Sequence, residues 1–365
     1  GFHPRDRGST PRVGKFFFFS FCMEFKDFFQ FSPDSIDISK LREYSINGFG
    51  NNKERRAAWR DLLDIPKYYN PTIINTPYSN DGKEIQIKND VIRSYQKIEK
   101  QDLKLHRQDQ LFRVLLTLFE RNPELSYTQG FHDIAAVILT FAKESLAVLI
   151  LEKLAKGHLR PYLCRELTGL ISVLNFLFPL MNFVDSELFT FLDQNDIDSS
   201  FAASYVLTFF AHNALTLSDS LRYLDFFISS HPLMTVYSVV TLVCLKKDIL
   251  MVPEADTGTL MQQFNDLLND TDVNVVIRNS IDLFQRFPPT FILQNSKDIK
   301  ISKDCFFLDP TFVFPYPYPN FPSLDKFPID LYQHHLDETT SSALIRGILS
   351  AIAIAAAIGM RLAFI

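Results

Sequence analysis

The chain has 365 residues, enough for one large domain or two ordinary ones with a sizeable core. With 47% apolar and 22% charged residues it is not a chain that stays disordered throughout, and 36 Phe against 12 Gly points to bulky helical packing rather than glycine-rich phosphate cradles. A net charge of −5 and an isoelectric point near 5.9 give no electrostatic reason to expect nucleic acid as a partner. The cysteines, Cys22, Cys164, Cys244 and Cys305, lie far apart with no CxxC or Cys/His spacing, which reads as reduced thiols in a cytosolic chain.

Residues 1–22 mix Arg, Pro and Gly and run into Phe16–Phe19, with the first methionine at Met23. A homopolymeric Phe run is what a thymine-rich untranslated stretch would encode, so 1–22 is expected to be a non-native leader. A secretory signal is the alternative, and it lacks a small-residue cleavage site. After an N-terminal segment, 23–44, helical periodicity dominates. Leu111, Leu115 and Leu118 predict a helix that Asn122-Pro123 stops. Similar spacing predicts helices within Ile134–Leu154, Glu166–Phe178, Ser200–His212, Ser220–Ser229 and Thr235–Leu245, and no alternating run with hairpin turns is found. The predicted class is all-α. From Pro288-Pro289 onward prolines interleave with Phe and Tyr, so 291–342 reads as a Pro/aromatic-rich linker.

The last segment, 343–365, contains the uncharged run Gly347–Met360. Alone it would reach only about 21 Å as a helix, against a hydrocarbon core of about 30 Å. Extended to Leu344–Ile365, with Arg346 and Arg361 able to snorkel, it reaches about 33 Å and predicts a C-terminal transmembrane helix, a tail anchor that leaves the body in the cytosol. A buried C-terminal helix or an amphipathic surface helix is the competing expectation.

No GxxxxGK[ST], GxGxxG after a strand, HExxH or GxSxG occurs, so nucleotide binding and the usual hydrolases are not signalled. The acidic run Asp193–Asp198 has Ile197 where a calcium loop needs oxygen, and helix capping ahead of Ser199-Ser200 accounts for it better. Two clusters remain. Asp90 and Arg93, three apart, share a helix face where the carboxylate can steer the guanidinium. Tyr127-Thr128-Gln129-Gly130, with Asp133 downstream, puts Gln129 at a loop–helix junction.

Read together, Ile87–Arg93 and Tyr127–Gly130 resemble IxxDxxR and YxQG, the two signatures of the TBC-domain family of Rab GTPase-activating proteins. Arg55–Leu63, with the single tryptophan Trp59, is similar to the family's opening RxxxWxxLL, and Phe201–Tyr205 and Arg222–Phe227 look like its third motif region and the helix after it. The runs Glu120–Leu125, Gly130–Ile134, Phe227–Met234 and Phe284–Pro289 are closer to a subgroup anchored in the endoplasmic reticulum and acting on the Rab of early secretory traffic.

The resemblance implies a two-lobed helical domain over 45–290, with the site in the groove between the halves. It makes Arg93 an arginine finger and Gln129 a second finger that orients the attacking water. Asp90 would hold Arg93, Tyr127 and Gly130 would shape the loop, Asp133 would support the site, and Arg55 and Trp59 would support it structurally, packing the amino-terminal helices near it. The partner is a Rab in its GTP form, which brings GTP and Mg²⁺, so the chain has no cofactor of its own. The implied location is the endoplasmic reticulum membrane, with the domain facing the cytosol. A catalytically silent Rab effector, and an adaptor acting through the Pro-rich linker, are the other classes compatible with these features. Ser94, Tyr205, Phe209 and Leu224 depart from the commoner family residues and put the packing in doubt, not the fingers.

Overall fold

The structure is a computed structural model that describes residues 37–75, 82–96, 98–252, 256–296, 299–301, 305 and 347–348. The expected leader 1–22, most of the Pro/aromatic stretch, and the expected anchor apart from Gly347 and Ile348 lie outside the described residues.

Local chemistry sets the helix starts. Asp37 opens α1 (Ile38–Ser45), accepting from the Ser39 amide at 3.0 Å, and Asn51 opens α2 (Asn52–Leu62), accepting from the Lys53 and Glu54 amides at 2.9 and 3.1 Å. There follow α3 (Gly82–Arg93), α4 (Gln101–Arg121), α5 (Phe131–Ile138), α6 (Glu144–Lys156), α7 (Thr168–Leu174), α8 (Leu177–Val184) and α9 (Ser186–Gln194). The second half has α10 (Ala203–Leu207), α11 (Leu217–Ile228), α12 (Met234–Leu245), α13 (Lys247–Leu250), α14 (Thr257–Asn265), α15 (Val273–Arg286) and α16 (Pro289–Asn295). Short 3₁₀ turns occupy Arg160–Tyr162 and Ser199–Ala202, and no strand occurs among the described residues. Asp198 accepts from the Ser200 amide at 2.8 Å, so the acidic run ends in the expected cap.

The helices pack around two centres. α4 lies against α3, α5 and α6, while α12, apolar on all sides, lies against α8, α10 and α15. α11 touches α1, α2, α5 and α15 and so joins the centres. Both belong to one unit, 36–365.

α2 is held to α11 by one carboxylate. Asp225, fully buried, accepts from Arg55 Nε and Nη2, both at 2.9 Å, from Trp59 Nε1 at 2.8 Å and from the Phe49 amide at 3.2 Å. Burial raises its pKa and the Arg55 guanidinium opposes the rise, the net shift being upward.

Several elements differ from the periodicity. α4 begins at Gln101, well before the leucine stripe that predicts it, because its polar first half faces outward and leaves the buried stripe only in Leu111–Phe119. Ile134–Leu154 is two helices, broken where the Phe141 ring packs edge-on against Trp59 at 5.0 Å and its carbonyl accepts from Arg56 at 2.7 Å. Ser200–His212 is broken by Phe209 and Phe210 at φ 50° and 64°.

The packed body also continues beyond residue 290. α16 runs to Asn295, Ile299, Ile301 and Cys305 are buried, and Cys305 Sγ donates to the Gly169 carbonyl at 3.3 Å. Ile348 is fully buried, and a Cβ on Gly347 would lie 3.2 Å from Ser200 Oγ. Among the described residues no helix is long and apolar enough to cross a membrane. Among the described residues Cys164, Cys244 and Cys305 take part in no disulfide.

Candidate functional site

Arg93 is the last residue of α3. Carbonyls at a helix C-terminus lack partners in their own helix, and here α4 supplies them: Gln108 Nε2 donates to the carbonyls of Ile92 at 2.9 Å and Ser94 at 3.0 Å. Gln96 also donates to Ile92, at 2.7 Å. The end of α3 is thereby fixed while the Arg93 side chain stays 45% exposed. Its Nε donates to the Asn89 carbonyl at 3.2 Å and its Nη2 to Asp90 Oδ1, the i,i+3 pair expected from sequence.

Asp90 is buried, and its second oxygen accepts from the Tyr127 hydroxyl at 2.7 Å. One carboxylate therefore joins the end of α3 to the 122–130 loop. The Tyr127 hydroxyl is pushed well above its ordinary pKa by burial and by the Asp90 charge, so it remains a donor. Its ring packs edge-on against Phe119 at 5.5 Å.

The loop itself is held from the far side. Thr128 Oγ1 donates to the Tyr162 carbonyl at 2.6 Å and the Ser126 amide to the Leu163 carbonyl at 2.8 Å. Gly130 starts α5 at φ 98°, and a Cβ there would lie 2.9 Å from Thr208 Cγ2. Both the left-handed backbone and the close approach require glycine. Between these anchors Gln129 is partly exposed, and among the described residues its amide makes no hydrogen bond.

Behind the loop lies a buried polar cluster. His132 Nδ1 is 3.2 Å from the Tyr127 oxygen and 3.6 Å from Asp90 Oδ2, and its Nε2 is 3.2 Å from Asp133 Oδ1. Asp133 Oδ2 contacts His212 Nδ1 at 2.8 Å. Burial pushes Asp133 up, but the charges of His132 and His212 and the His212 hydrogen bond outweigh it and hold the carboxyl below its ordinary range.

Of the residues expected from sequence, the structure thus brings Asp90, Arg93, Tyr127, Gln129, Gly130 and Asp133 into one region. Arg55 and Trp59, expected as packing residues of the amino-terminal helices, both donate to Asp225 and tie α2 to α11. His132 and His212 were not singled out by sequence. His132 stands inside the quoted Gly130–Ile134 run, whereas His212 lies 79 residues from Asp133, and no spacing rule links them.

Residues 52–250 match the Rab-GTPase-TBC domain. TBC1 domain family member 20 of Homo sapiens is 29% identical over 265 residues, 71% of this chain and 66% of that protein. The GTPase-activating protein gyp10 of Schizosaccharomyces pombe is 33% identical over 196 residues, 53% of this chain and 52% of that one. The chain therefore spans just under two thirds of the human relative and about half of the yeast one. The crystal structure of the Ypt/Rab-GAP domain of Gyp1p is similar at a TM-score of 0.48 and 17% identity, covering 69% of this chain and 93% of that one. Every residue of the Arg93–Tyr127–His212 region falls inside the matched 52–250 span, which is more than half of the sequence, and the chain belongs to the Rab-GTPase-TBC domain family.

Proposed function

We propose that the chain is a GTPase-activating protein for a Rab-family GTPase in its GTP form. The observation that carries this reading is the Asp90 carboxylate, which binds Arg93 with one oxygen and Tyr127, two residues before Gln129, with the other. A Rab hydrolyses GTP slowly because charge on the transferred phosphoryl group is poorly compensated and the attacking water poorly held. Arg93 stands half-exposed at the end of a capped helix, where its planar guanidinium, on turning from Asp90, can span two phosphate oxygens. Such a finger is worth about 10³–10⁵ in rate. Gln129, on a loop braced on both sides, has an amide able to hold the water. GTP and Mg²⁺ arrive in the Rab. The gyp10 relative carries the GTPase-activating description in its name, which supports the same reading.

The finer assignment rests on the subgroup resemblance and the apolar C-terminal run. It makes the partner the Rab of endoplasmic reticulum to Golgi traffic, and the location the endoplasmic reticulum membrane, with residues 343–365 as a tail anchor and the helical body on the cytosolic side.

The test is single-turnover GTP hydrolysis by a panel of purified Rabs with the full chain added. One Rab accelerates by orders of magnitude. Arg93→Ala and Gln129→Ala each remove most of that gain, and Arg93→Lys fails to restore it because a point charge cannot make the bidentate contact. Binding of a GTP-loaded Rab without acceleration would instead make the chain an effector.

A further inference from the structure

We propose that His132 is a positioning residue for the Arg93 finger. It acts as a second cation that keeps the buried Asp90 carboxylate compensated when the Arg93 guanidinium turns toward a nucleotide. The inference rests on the GTPase-activating reading of the same site.

Proton bookkeeping carries the argument. The Tyr127 hydroxyl has one hydrogen, and it goes to Asp90 Oδ2 at 2.7 Å. The 3.2 Å contact between the Tyr127 oxygen and His132 Nδ1 then needs its hydrogen from the ring. The other ring nitrogen, Nε2, faces Asp133 Oδ1 at 3.2 Å, off-line for a hydrogen bond, and among the described residues that buried oxygen has no hydrogen-bond partner. Both ring nitrogens thus face oxygens that favour a proton on the ring, and it is this placement between two buried carboxylates that gives His132 the part of the second cation. The groups facing it are Asp90 and Arg93 from α3, Tyr127 from the loop and Asp133 from its own helix. His212 sits on the far oxygen of Asp133, and the Asp133 charge also reaches the buried Tyr95 hydroxyl, on which Arg107 acts in the opposite sense.

While Arg93 rests on Asp90, the cluster has a guanidinium and two imidazoles against two carboxylates. A finger that reaches a partner's phosphates withdraws the first of these. A carboxylate left alone in the interior would pull the arginine back. His132, 3.6 Å from Asp90 Oδ2, removes that penalty, and His212 keeps Asp133 from competing for the same imidazole. The same contacts tie the Arg93 helix to the first turn after Gln129, so that both fingers share one charge cluster.

The first measurement is a histidine-ring NMR titration of the full chain, with His132 assigned by the signal lost in His132→Gln. In Arg93→Ala the imidazole is the remaining cation on Asp90, and it binds its proton about tenfold more tightly than in wild type. An unchanged titration overturns the proposal, whether or not any Rab is stimulated. The second is steady-state kinetics with the stimulated Rab. His132→Gln lowers kcat about tenfold and leaves KM for the GTP-loaded Rab within about twofold, because docking is intact and only the finger is misplaced. Added to Asp90→Asn, which has no charge to compensate, the same substitution costs nothing more. An equal loss on both backgrounds overturns the proposal. Should His132→Gln lose its native circular dichroism, His212→Gln carries the kinetic test, with a smaller kcat loss expected and none counting against the proposal. If wild type accelerates no Rab, the GTPase-activating reading fails, while the titration still decides the charge relay.

Discussion

Gly130 is where the backbone leaves least freedom. An alanine there would hold φ at 98° and press its Cβ to within 2.9 Å of Thr208 Cγ2, so either the loop or the Thr208 turn must shift. The left-handed strain alone costs about 1–2 kcal/mol. Gly130→Ala should lower stability by at least that amount in urea unfolding, and should lower stimulated GTP hydrolysis more than it lowers Rab binding, because Gln129 is the neighbour displaced. At this scale the sequence was informative about the residues that touch one another locally. Asp90 and Arg93 are three apart on one helix, and Tyr127 to Gly130 are contiguous. What joins the two clusters is a hydrogen bond across 37 residues, and what lies behind them is a contact across 79. Neither separation follows from any periodicity, so the histidines stayed out of sight.

For whole elements the divergences have a common cause. A helical pattern specifies a buried stripe, but not where tertiary contacts interrupt the ladder. Phe209 and Phe210 leave the helical conformation to put their rings among Tyr205, Tyr223 and Phe227, with Phe210 at 4.8 Å from Tyr223 and 5.2 Å from Phe227. Lost helix continuity is exchanged for aromatic burial. The polar half of α4 escaped notice for the opposite reason, since it has no apolar stripe to report itself. Its use is to bring Gln108 under the end of α3. The joint between α2 and α11 gives a prediction of its own. Asp225→Asn leaves the Arg55 guanidinium buried without its countercharge, which should cost about 3–5 kcal/mol. Urea unfolding checks the value. Trp59→Phe, which gives up only an indole hydrogen bond and some packing, should cost roughly 1 kcal/mol.

The molecule as a whole should be sensitive to acid. His158, after α6, and His231, between α11 and α12, are both buried. Burial lowers the His158 pKa from 6.5 to about 4, against the Ser230 carbonyl hydrogen bond that favours its proton, and lowers His231 from 6.5 to about 3. Folded-state values below the unfolded ones mean that the unfolded chain takes up protons first. The contribution to stability is therefore complete above pH 6.5 and is lost as the pH falls toward 4 and 3. At pH 5 each histidine should cost about 2 kcal/mol relative to neutral pH. Urea midpoints measured at pH 7.5 and pH 5 test this, and equal midpoints would refute the neutral burial of the pair. Fold class was legible at this scale because helical spacing recurs through the described body without a competing period of two. The continuation of packing through Ile299, Ile301 and Cys305 was not, because the prolines from Pro310 onward colour the whole stretch, and two isoleucines and a cysteine among polar residues make no helical stripe. The Asp225 joint also has a meaning in time. Its acceptor lies 166 residues after Trp59 and 176 after Phe49. At ribosomal speeds Arg55 and Trp59 exist for roughly 10 to 30 s before Asp225 is made. The first helices of the body therefore cannot close on α11 until more than half of the chain has been made, and through that interval the nascent chain carries an unmatched guanidinium and indole.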